Sequence, residues 1–325
     1  MSDVVTKVLH LLGAIGVLAV IVATILAMVT FSDRLPRKWQ KWATPLVLIG
    51  GTIVFVVAGL LYPAIETVSQ SFRSSDGARF IGLDNYLWIF TDPGALIGLR
   101  NTFLWVLVVP IISVSIGFGY ALLVDKSRYE NILKAVLFMP MAISFVGASV
   151  IWKFVYTYRQ GGQEQIGLLN QILVWLGLTP QQFLVNTPWN SLFLMVVVVW
   201  TQTGFAMIVM SGAIKSIPAE VIEAARLDGA GTWQILTRVT IPLVRPSLVV
   251  SLTTISVAIL KLFDVIRTMT GGQFQTTVLA NMMYDQSFKY SEPGKGAAVA
   301  VLLLLLVLPV MIGNAVQMRR NKELR

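Results

Sequence analysis

Residues 216–246 read SIPAEVIEAARLDGAGTWQILTRVTIPLVRP, the only long charged, helix-patterned stretch between two strongly apolar segments. Pro218 presets a helical φ at a first-turn position. Gly229 is expected to end this helix, because glycine adopts the left-handed conformation without a steric penalty. The helix is expected to have an apolar stripe made of Val221, Ile222, Ala225 and Leu227.

A second short helix is expected to follow the glycine. Thr232 is suited to cap its start, and the helix should run from Trp233 to about Val239. Pro242 is expected to stop it. A helix, a turn and a helix could also form a DNA-reading module. The apolar spans on both sides exclude that use, because they keep the stretch at a membrane surface.

The composition of the chain indicates a membrane protein. Its 325 residues are 56% hydrophobic, and the mean hydropathy is +0.75. This is too much apolar surface for one soluble core, so lipid must solvate part of it. The absence of cysteine excludes disulfides, thiolate metal sites and a cysteine nucleophile. The single histidine, His10, is expected to be an interfacial side chain.

A membrane-spanning helix needs about 20 mostly apolar residues. The first candidate, 9–31, is too long for the apolar part of a signal peptide and lacks a small-residue cleavage site. Pro63 is expected to mark the outer end of the second span, and Pro110 and Pro140 to kink the third and fourth. The seven predicted spans cover residues 9–31, 43–62, 102–124, 132–156, 191–214, 247–266 and 297–317.

The distribution of positive charge predicts the topology. The short turn 33–42 carries four Lys and Arg residues, which places it in the cytoplasm and the N-terminus outside. Alternation then puts stretch 216–246 and the C-terminus on the cytoplasmic side, where 15 of the 25 Lys and Arg residues fall. If the first segment did not span, only the N-terminus would change sides. The fold class is thus an all-α polytopic membrane protein of about seven transmembrane helices.

The spacing within 216–246 resembles the signature of ABC-importer permeases. That signature reads EAA, three residues, Gly, nine residues, an aliphatic residue, one residue, an aliphatic residue and Pro. The matching residues are Glu223, Ala224, Ala225, Gly229, Val239, Ile241 and Pro242. The resemblance implies that this segment, the coupling loop, docks into a cleft on a cytoplasmic ATPase subunit. The implied coupling residues are Glu223, Ala224, Ala225, Asp228, Gly229 and Pro242. The alternative is an amphipathic loop lying on lipid headgroups.

Two further segments are similar to permeases of the carbohydrate class. Residues 80–86 read FIGLDNY, like an F-x-G-L-x-N-Y segment of that class, although an interfacial turn would have the same composition. Phe263-Asp264, followed by residues 270–272 and 276–277, resembles an F-D, T-G-G-G-P and threonine stretch. Here one glycine is missing, and Gln273-Phe274 stands where proline is usual.

The resemblance covers residues 43–325 and leaves 1–42 as an extra N-terminal transmembrane helix with a basic cytoplasmic turn. It implies a six-helix core of the type I importer kind in a bacterial inner membrane. It also implies a complex of two permeases, two ATPase subunits and an extracytoplasmic sugar-binding protein, with a hetero-pair of permeases favoured. ATP and Mg²⁺ would bind the ATPase partner, so no cofactor is expected in this chain. The implied substrate is a sugar of the α-glucoside, maltose or trehalose kind.

The residues give no support for an enzyme. The sequence contains no Gly-x4-Gly-Lys-Ser/Thr loop and only one histidine, so we expect neither ATP hydrolysis nor a catalytic triad. No catalytic residue, metal site or nucleic-acid partner is expected.

Polar groups inside spans are the candidate functional residues. Gln202 and Phe205 share a helix face, and together offer an amide for hydroxyls and an aromatic ring for a sugar. Lys261 and Asp264 are also three residues apart and could pair with each other. An ion pair near the lipid headgroups is an equally good interpretation of Lys261 and Asp264. The threonines and serines of the spans are expected to bond to helix backbone or to neighbouring helices.

Two other transport classes stay open. A secondary transporter would need no ATPase, and often shows inverted repeats that this sequence lacks. An importer of glycerol phosphate or another non-sugar solute would keep the coupling loop and want a more basic cavity, which Lys261 with Arg267 would allow.

Overall fold

The computed structural model describes residues 30, 36, 49–50, 52–54, 56–125, 127–160 and 163–323. These residues form helices and turns, with one isolated β-bridge between Arg73 and Phe80. The chain divides into two compact units, Met1–Ser69 and Gln70–Arg325. Apart from single residues, the predicted first span and the basic turn lie outside the described residues, as does the domain boundary after residue 42.

Helix α1 (Thr52–Ser71) holds most of the described residues of the first unit. The predicted end of the second span at Pro63 is wrong, because α1 continues through this proline. Residues Val57–Leu61 form a π-helical turn, and the N–H of Tyr62 donates to the carbonyl of Val57. The wide turn makes room for the proline ring, which would otherwise clash with the carbonyl four residues earlier.

The second unit is a bundle in which four helices are long and apolar enough to cross a membrane: α3 (Pro93–Val124), α7 (Trp189–Lys215), α9 (Thr232–Leu260) and α12 (Pro293–Glu323). Helices α7 and α12 match the spans predicted at 191–214 and 297–317. In chain order the helices are α2 (Asp84–Thr91), α3 (Pro93–Val124), α4 (Glu130–Phe138), α5 (Phe145–Val155), α6 (Leu168–Trp175), α7 (Trp189–Lys215), α8 (Ala219–Leu227), α9 (Thr232–Leu260), α10 (Asp264–Met269), α11 (Leu279–Tyr284) and α12 (Pro293–Glu323).

Helix α3 begins nine residues before the predicted start at residue 102. The carboxylate of Asp92 accepts a hydrogen bond from the N–H of Ala95 at 2.9 Å, and Pro93 occupies the first helical turn. An aspartate cap followed by proline is a standard helix start. The Asp92-Pro93 pair was visible in the sequence, but it precedes the apolar run from which the start at residue 102 was predicted.

The predicted fourth span is wrong in shape. We expected one helix kinked at Pro140, whereas the chain forms two helical segments, Glu130–Ala142 and Phe145–Val155, bent by 98° at a short break. Residues Met139–Ala142 tighten into a 3₁₀ turn, and Ile143 is extended. Ser144 then starts α5, because its side chain accepts a hydrogen bond from the N–H of Gly147 at 3.1 Å. With this pair counted as one span, the described residues give six candidate spans.

Helices α3 and α7 approach each other closely at Gly117. A Cβ atom added at Gly117 would lie 2.7 Å from the Cβ of Ala206 and 2.7 Å from the backbone nitrogen of Met207. Such a distance is well below van der Waals contact, so only glycine lets the two backbones approach this closely. Trp105 and Val109 of α3 lie fully buried in the same core as Leu194 of α7.

The 80–86 segment is held by a buried asparagine. Asn85, at the start of α2, donates to the carbonyls of Ser71 and Arg73, both at 2.9 Å. These bonds join α2 to the end of α1 within the second unit. The turn in this segment therefore has a specific structural basis, since Asn85 satisfies backbone groups that a turn leaves open.

Candidate functional site

The coupling loop begins with α8, whose end is built as the sequence predicted. Gly229 has φ +81°, the left-handed conformation. Its N–H donates to the carbonyl of Arg226 at 3.0 Å, and the N–H of Ala230 donates to the carbonyl of Ala225 at 3.0 Å. This pair of bonds is the Schellman motif, which satisfies the last helical carbonyls. The predicted end of the helix at Gly229 is confirmed.

The second helix of the loop differs from the prediction at both ends. Gly231, and not Thr232, is its N-cap, and the Gln234 side chain accepts a hydrogen bond from the N–H of Gly231 at 2.9 Å. Pro242 does not stop the helix, because α9 continues to Leu260. A π-turn again precedes the proline, with the N–H of Ile241 bonded to the carbonyl of Leu236. The coupling loop therefore joins the following span without a break.

The coupling loop is exposed at most of the positions predicted to act in coupling. Ala225 is half-buried, and the exposed ones are Glu223, Ala224, Asp228, Gly229 and Pro242. Helix α8 has no buried residue. Leu227, which belongs to the predicted apolar stripe, is 89% exposed, and Trp233 at the start of α9 is 73% exposed. Two large apolar side chains thus stand free of the chain's own core.

Gln202 and Phe205 lie on α7 and are both half-buried. Phe205 packs against the main core cluster, which includes Val198 and Ile255. The Gln202 side chain has no hydrogen-bond partner within the part of the chain that the structure describes. An amide in an apolar span without a protein partner is free to bind a polar ligand.

The threonines beside Gln202 follow the expectation for span hydroxyls. Thr201 donates to the carbonyl of Val198 at 2.9 Å, and Thr203 donates to the carbonyl of Val199 at 2.7 Å. Both bonds stay within α7, so these hydroxyls satisfy helix backbone. Gln202 therefore differs from these two neighbours, because its side chain has no hydrogen-bond partner among the described residues.

Lys261 and Asp264 do not pair with each other in the structure. Lys261 is the C-cap of α9 and Asp264 is the first residue of α10, and both are exposed. The predicted span 247–266 is broken between them, so the face relation of residues three apart on one helix does not apply. Lys261 instead borders an otherwise apolar cavity of about 480 Å³, beside Phe263 and Tyr284.

The loop after α10, which carries the carbohydrate-class resemblance, is fixed by two asparagines that the sequence analysis passed over. Asn101 of α3 donates to the carbonyls of Gln275 and Thr277 at 2.7 and 2.9 Å. Asn190 of α7 donates to the carbonyl of Phe274 at 2.8 Å. These contacts lie at the end of α7 opposite to the coupling loop. An asparagine near the start of each of two apolar helices was the signal available in the sequence.

A family model described as "Binding-protein-dependent transport system inner membrane component" matches residues 93–323. The match includes the coupling loop, Gln202, Phe205 and the asparagine-bound loop. The chain belongs to this family.

The permease has relatives along most of its length. The osmoprotective compounds uptake permease protein GgtC of Synechocystis is 50% identical over 84% of this chain and 98% of its own. The α-glucoside transport system permease protein AglF of Rhizobium meliloti is 46% identical over 83% of this chain and 81% of its own.

A solved structure shares the fold of the permease. A chain from a bacterial ABC transporter for the acidic polysaccharide alginate superposes with a TM-score of 0.73 at 23% identity, covering 87% of this chain and 99% of that one. The permease is thus an all-helical, multi-pass inner-membrane component of an ABC transporter. Family membership confirms that it is a transport subunit, with ATP hydrolysis carried out by separate subunits.

Proposed function

We propose that this permease is one of two membrane subunits of an ATP-driven importer that takes a sugar from a binding protein and releases it into the cytoplasm. Transport proceeds by alternating access. ATP closes an ATPase dimer, whose clefts draw in the two coupling loops, and the spans open outward to receive the sugar. Hydrolysis resets the complex.

The observation that carries this proposal is the exposed coupling loop. The first signature residues, Glu223, Ala224 and Ala225, lie in a short helix that ends in a left-handed turn at Gly229, so the loop has a defined shape. Leu227 and Trp233 stand exposed on it, and their exposure is compatible with a surface that a partner covers. A cleft on the ATPase subunit is a partner of this kind, with Glu223 and Asp228 supplying polar contacts at the rim.

The complex needs partners that this chain does not supply. It has one coupling loop, so a second permease, which we propose is a different chain, fills the other ATPase cleft. ATP and Mg²⁺ bind the ATPase dimer, and no cofactor is placed in this chain. An extracytoplasmic binding protein delivers the sugar, as the periplasmic protein holds the alginate pentasaccharide in a related complex. The coupling loop and C-terminus face the cytoplasm in this arrangement.

The proposed substrate is a neutral α-glucoside, of maltose or trehalose size. The names of the two relatives, one for α-glucosides and one for osmoprotective compounds, support this class. Gln202 would bond to hydroxyls and Phe205 would pack on a ring face, while Lys261 and Asp264 would act at the break after α9. The glycerol phosphate alternative is weaker, because Arg267 is paired with Asp285 at 2.9 Å and lies over the ring of Tyr284.

Changing Leu227 to aspartate is expected to lower the recovery of the ATPase subunit with the tagged permease at least about tenfold. The side chain is 89% exposed, so the change leaves the fold intact and places a charge in the covered contact. Recovery is measured by pull-down from mild detergent, and Glu223→Ala is expected to lower it less.

The matched control is Leu176→Asp, because Leu176 is 69% exposed and follows α6, outside the coupling loop. Its ATPase recovery should equal that of the wild type. Equal recovery with Leu227→Asp would remove the docking role. A permease that purifies alone and transports without ATP would be a secondary carrier.

Changing Gln202 to alanine is expected to lower the maximal rate of sugar uptake about fivefold. One lost hydrogen bond to a hydroxyl is worth about 0.5–1.5 kcal/mol, a factor of roughly 2 to 13. Uptake of a labelled α-glucoside is measured in vesicles with saturating binding protein. The control is Thr203→Val, because its hydroxyl is already bonded within α7. An unchanged rate with Gln202→Ala would remove Gln202 from the sugar path.

A further inference from the structure

Five side chains form an ion cluster, which we call the foot cluster, at the end of the bundle nearest the coupling loop. Lys134 Nζ lies 2.6 Å from Asp125 Oδ1 and 2.8 Å from Glu130 Oε1. Ser211 donates to Asp125 Oδ1 at 2.7 Å and accepts a hydrogen bond from Lys134. Lys215 completes the cluster by pairing with Glu130.

The foot cluster joins three elements that are separate in sequence. Asp125 is the C-cap of α3, Glu130 and Lys134 lie on α4, and Ser211 and Lys215 lie in the last turns of α7. Only a short connection separates Lys215 from the first residue of α8, Ala219. The cluster therefore holds the end of α7, the point where the coupling loop leaves the bundle.

Lys134 is the centre of the foot cluster. It contacts Asp125, Glu130 and Ser211, whereas Lys215 contacts Glu130 alone within the described structure. The side chain of Asp125 is only 10% exposed, and its Oδ2 atom is buried without a hydrogen-bond partner. Without Lys134, the partly buried carboxylates of Asp125 and Glu130 would share one remaining cation, Lys215, which contacts only Glu130 among the described residues. Removing one partner of a desolvated charge pair is strongly unfavourable, so the contact between α3, α4 and α7 would loosen.

We propose that Lys134 is a positioning residue for the coupling of ATP hydrolysis to transport. It makes the α3–α4 turn and the last turn of α7 one rigid body. A displacement of the coupling loop is then passed to three helices at once, and not absorbed by bending at the end of α7. This inference rests on the proposed docking of the coupling loop to an ATPase, and it adds the residue by which the movement enters the bundle.

The test uses Lys134→Met, which keeps a flexible, unbranched side chain of similar length and removes the charge. The whole complex, with ATPase, second permease and binding protein, is reconstituted in vesicles, and sugar imported per ATP hydrolysed is measured. The expected result is normal recovery of the ATPase, continued ATP hydrolysis and an import-to-hydrolysis ratio lowered about tenfold. Lys134→Arg, which keeps the charge, should restore most of the ratio.

The matched control is Arg128→Met, in the turn just before α4, because the Arg128 guanidinium contacts the side chain of Tyr129 and forms no hydrogen bond or ion pair with the foot cluster. Its ratio should be that of the wild type. If Lys134→Met does not accumulate, Ser211→Ala removes the hydrogen bonds of Ser211 to Asp125 and Lys134 without changing charge, and should lower the ratio about twofold to threefold. A wild-type ratio in an assembled Lys134→Met complex, or in Ser211→Ala where only that variant accumulates, would overturn the proposal. Failure of the docking proposal would appear separately, as unchanged ATPase recovery with Leu227→Asp.

Discussion

Replacing Gly117 with leucine is expected to prevent the folded permease from accumulating in the membrane, to about a tenth of the wild-type amount or less. Even a single Cβ atom would lie 2.7 Å from the Cβ of Ala206 and from the backbone nitrogen of Met207. Overpacking a core commonly costs about 1–3 kcal/mol when side chains can shift. Here the obstacle includes backbone of α7, which cannot move without separating the two helices.

The measurement is the amount of monodisperse tagged permease extracted in mild detergent, with its thermal midpoint. Gly117→Ala should give a folded protein with a lower midpoint. Gly119→Leu is the matched control, because Gly119 lies on the same helix and a Cβ there meets nothing within 4 Å. A wild-type yield and midpoint for Gly117→Leu would show that α3 and α7 do not pack as described.

Replacing Gly229 with valine is expected to reduce ATP-dependent sugar uptake about tenfold or more while the permease still inserts. The φ of Gly229 is +81°, and a β-branched residue is strongly disfavoured there. No atom lies within 4 Å of the added Cβ position, so the effect comes from backbone conformation and not from a clash. The strained turn would reorient α8 relative to α9 and misplace Leu227 and Glu223 in the ATPase cleft.

Asparagine at the same position separates conformation from size. Asparagine, like aspartate and histidine, tolerates the left-handed region better than other non-glycine residues do. Gly229→Asn should therefore keep most of the uptake. Uptake and ATPase recovery are measured side by side for both variants. Equal activity of the valine and asparagine variants would mean that the turn is not required in its present shape.

Local chemistry explains which parts of the fold the sequence could predict. Gly229 was predictable because one residue in a left-handed turn is decided by its own side chain and the helix before it. The spans at α7 and α12 were predictable because each is a long apolar run. The family signature was readable because its residues lie within one segment, where spacing alone identifies it.

The errors fall where a neighbouring turn or a distant residue decides the outcome. Pro63 and Pro242 were expected to end helices, yet a π-turn ahead of each allows the helix to continue. At Pro140 a 3₁₀ turn and the Ser144 cap produce a 98° bend in place of a kink. In the sequence, Lys134 is only one of the positive residues counted on the cytoplasmic side, because Asp125 is nine residues before it and Ser211 is 77 residues away. Single-sequence patterns carry no signal for such distant partners.

The π-turn at Leu236–Thr240 sets the rotational phase between the coupling loop and the membrane part of α9. Its backbone bond spans five residues where an α-helix spans four, and each helical residue turns the chain by about 100°. Everything ahead of the turn, including Trp233, is therefore rotated by roughly one residue's turn from the direction that the apolar pattern of the span would give. This one wide turn therefore sets the orientation of the loop about the axis of α9. The residues that would contact a partner do not determine that orientation.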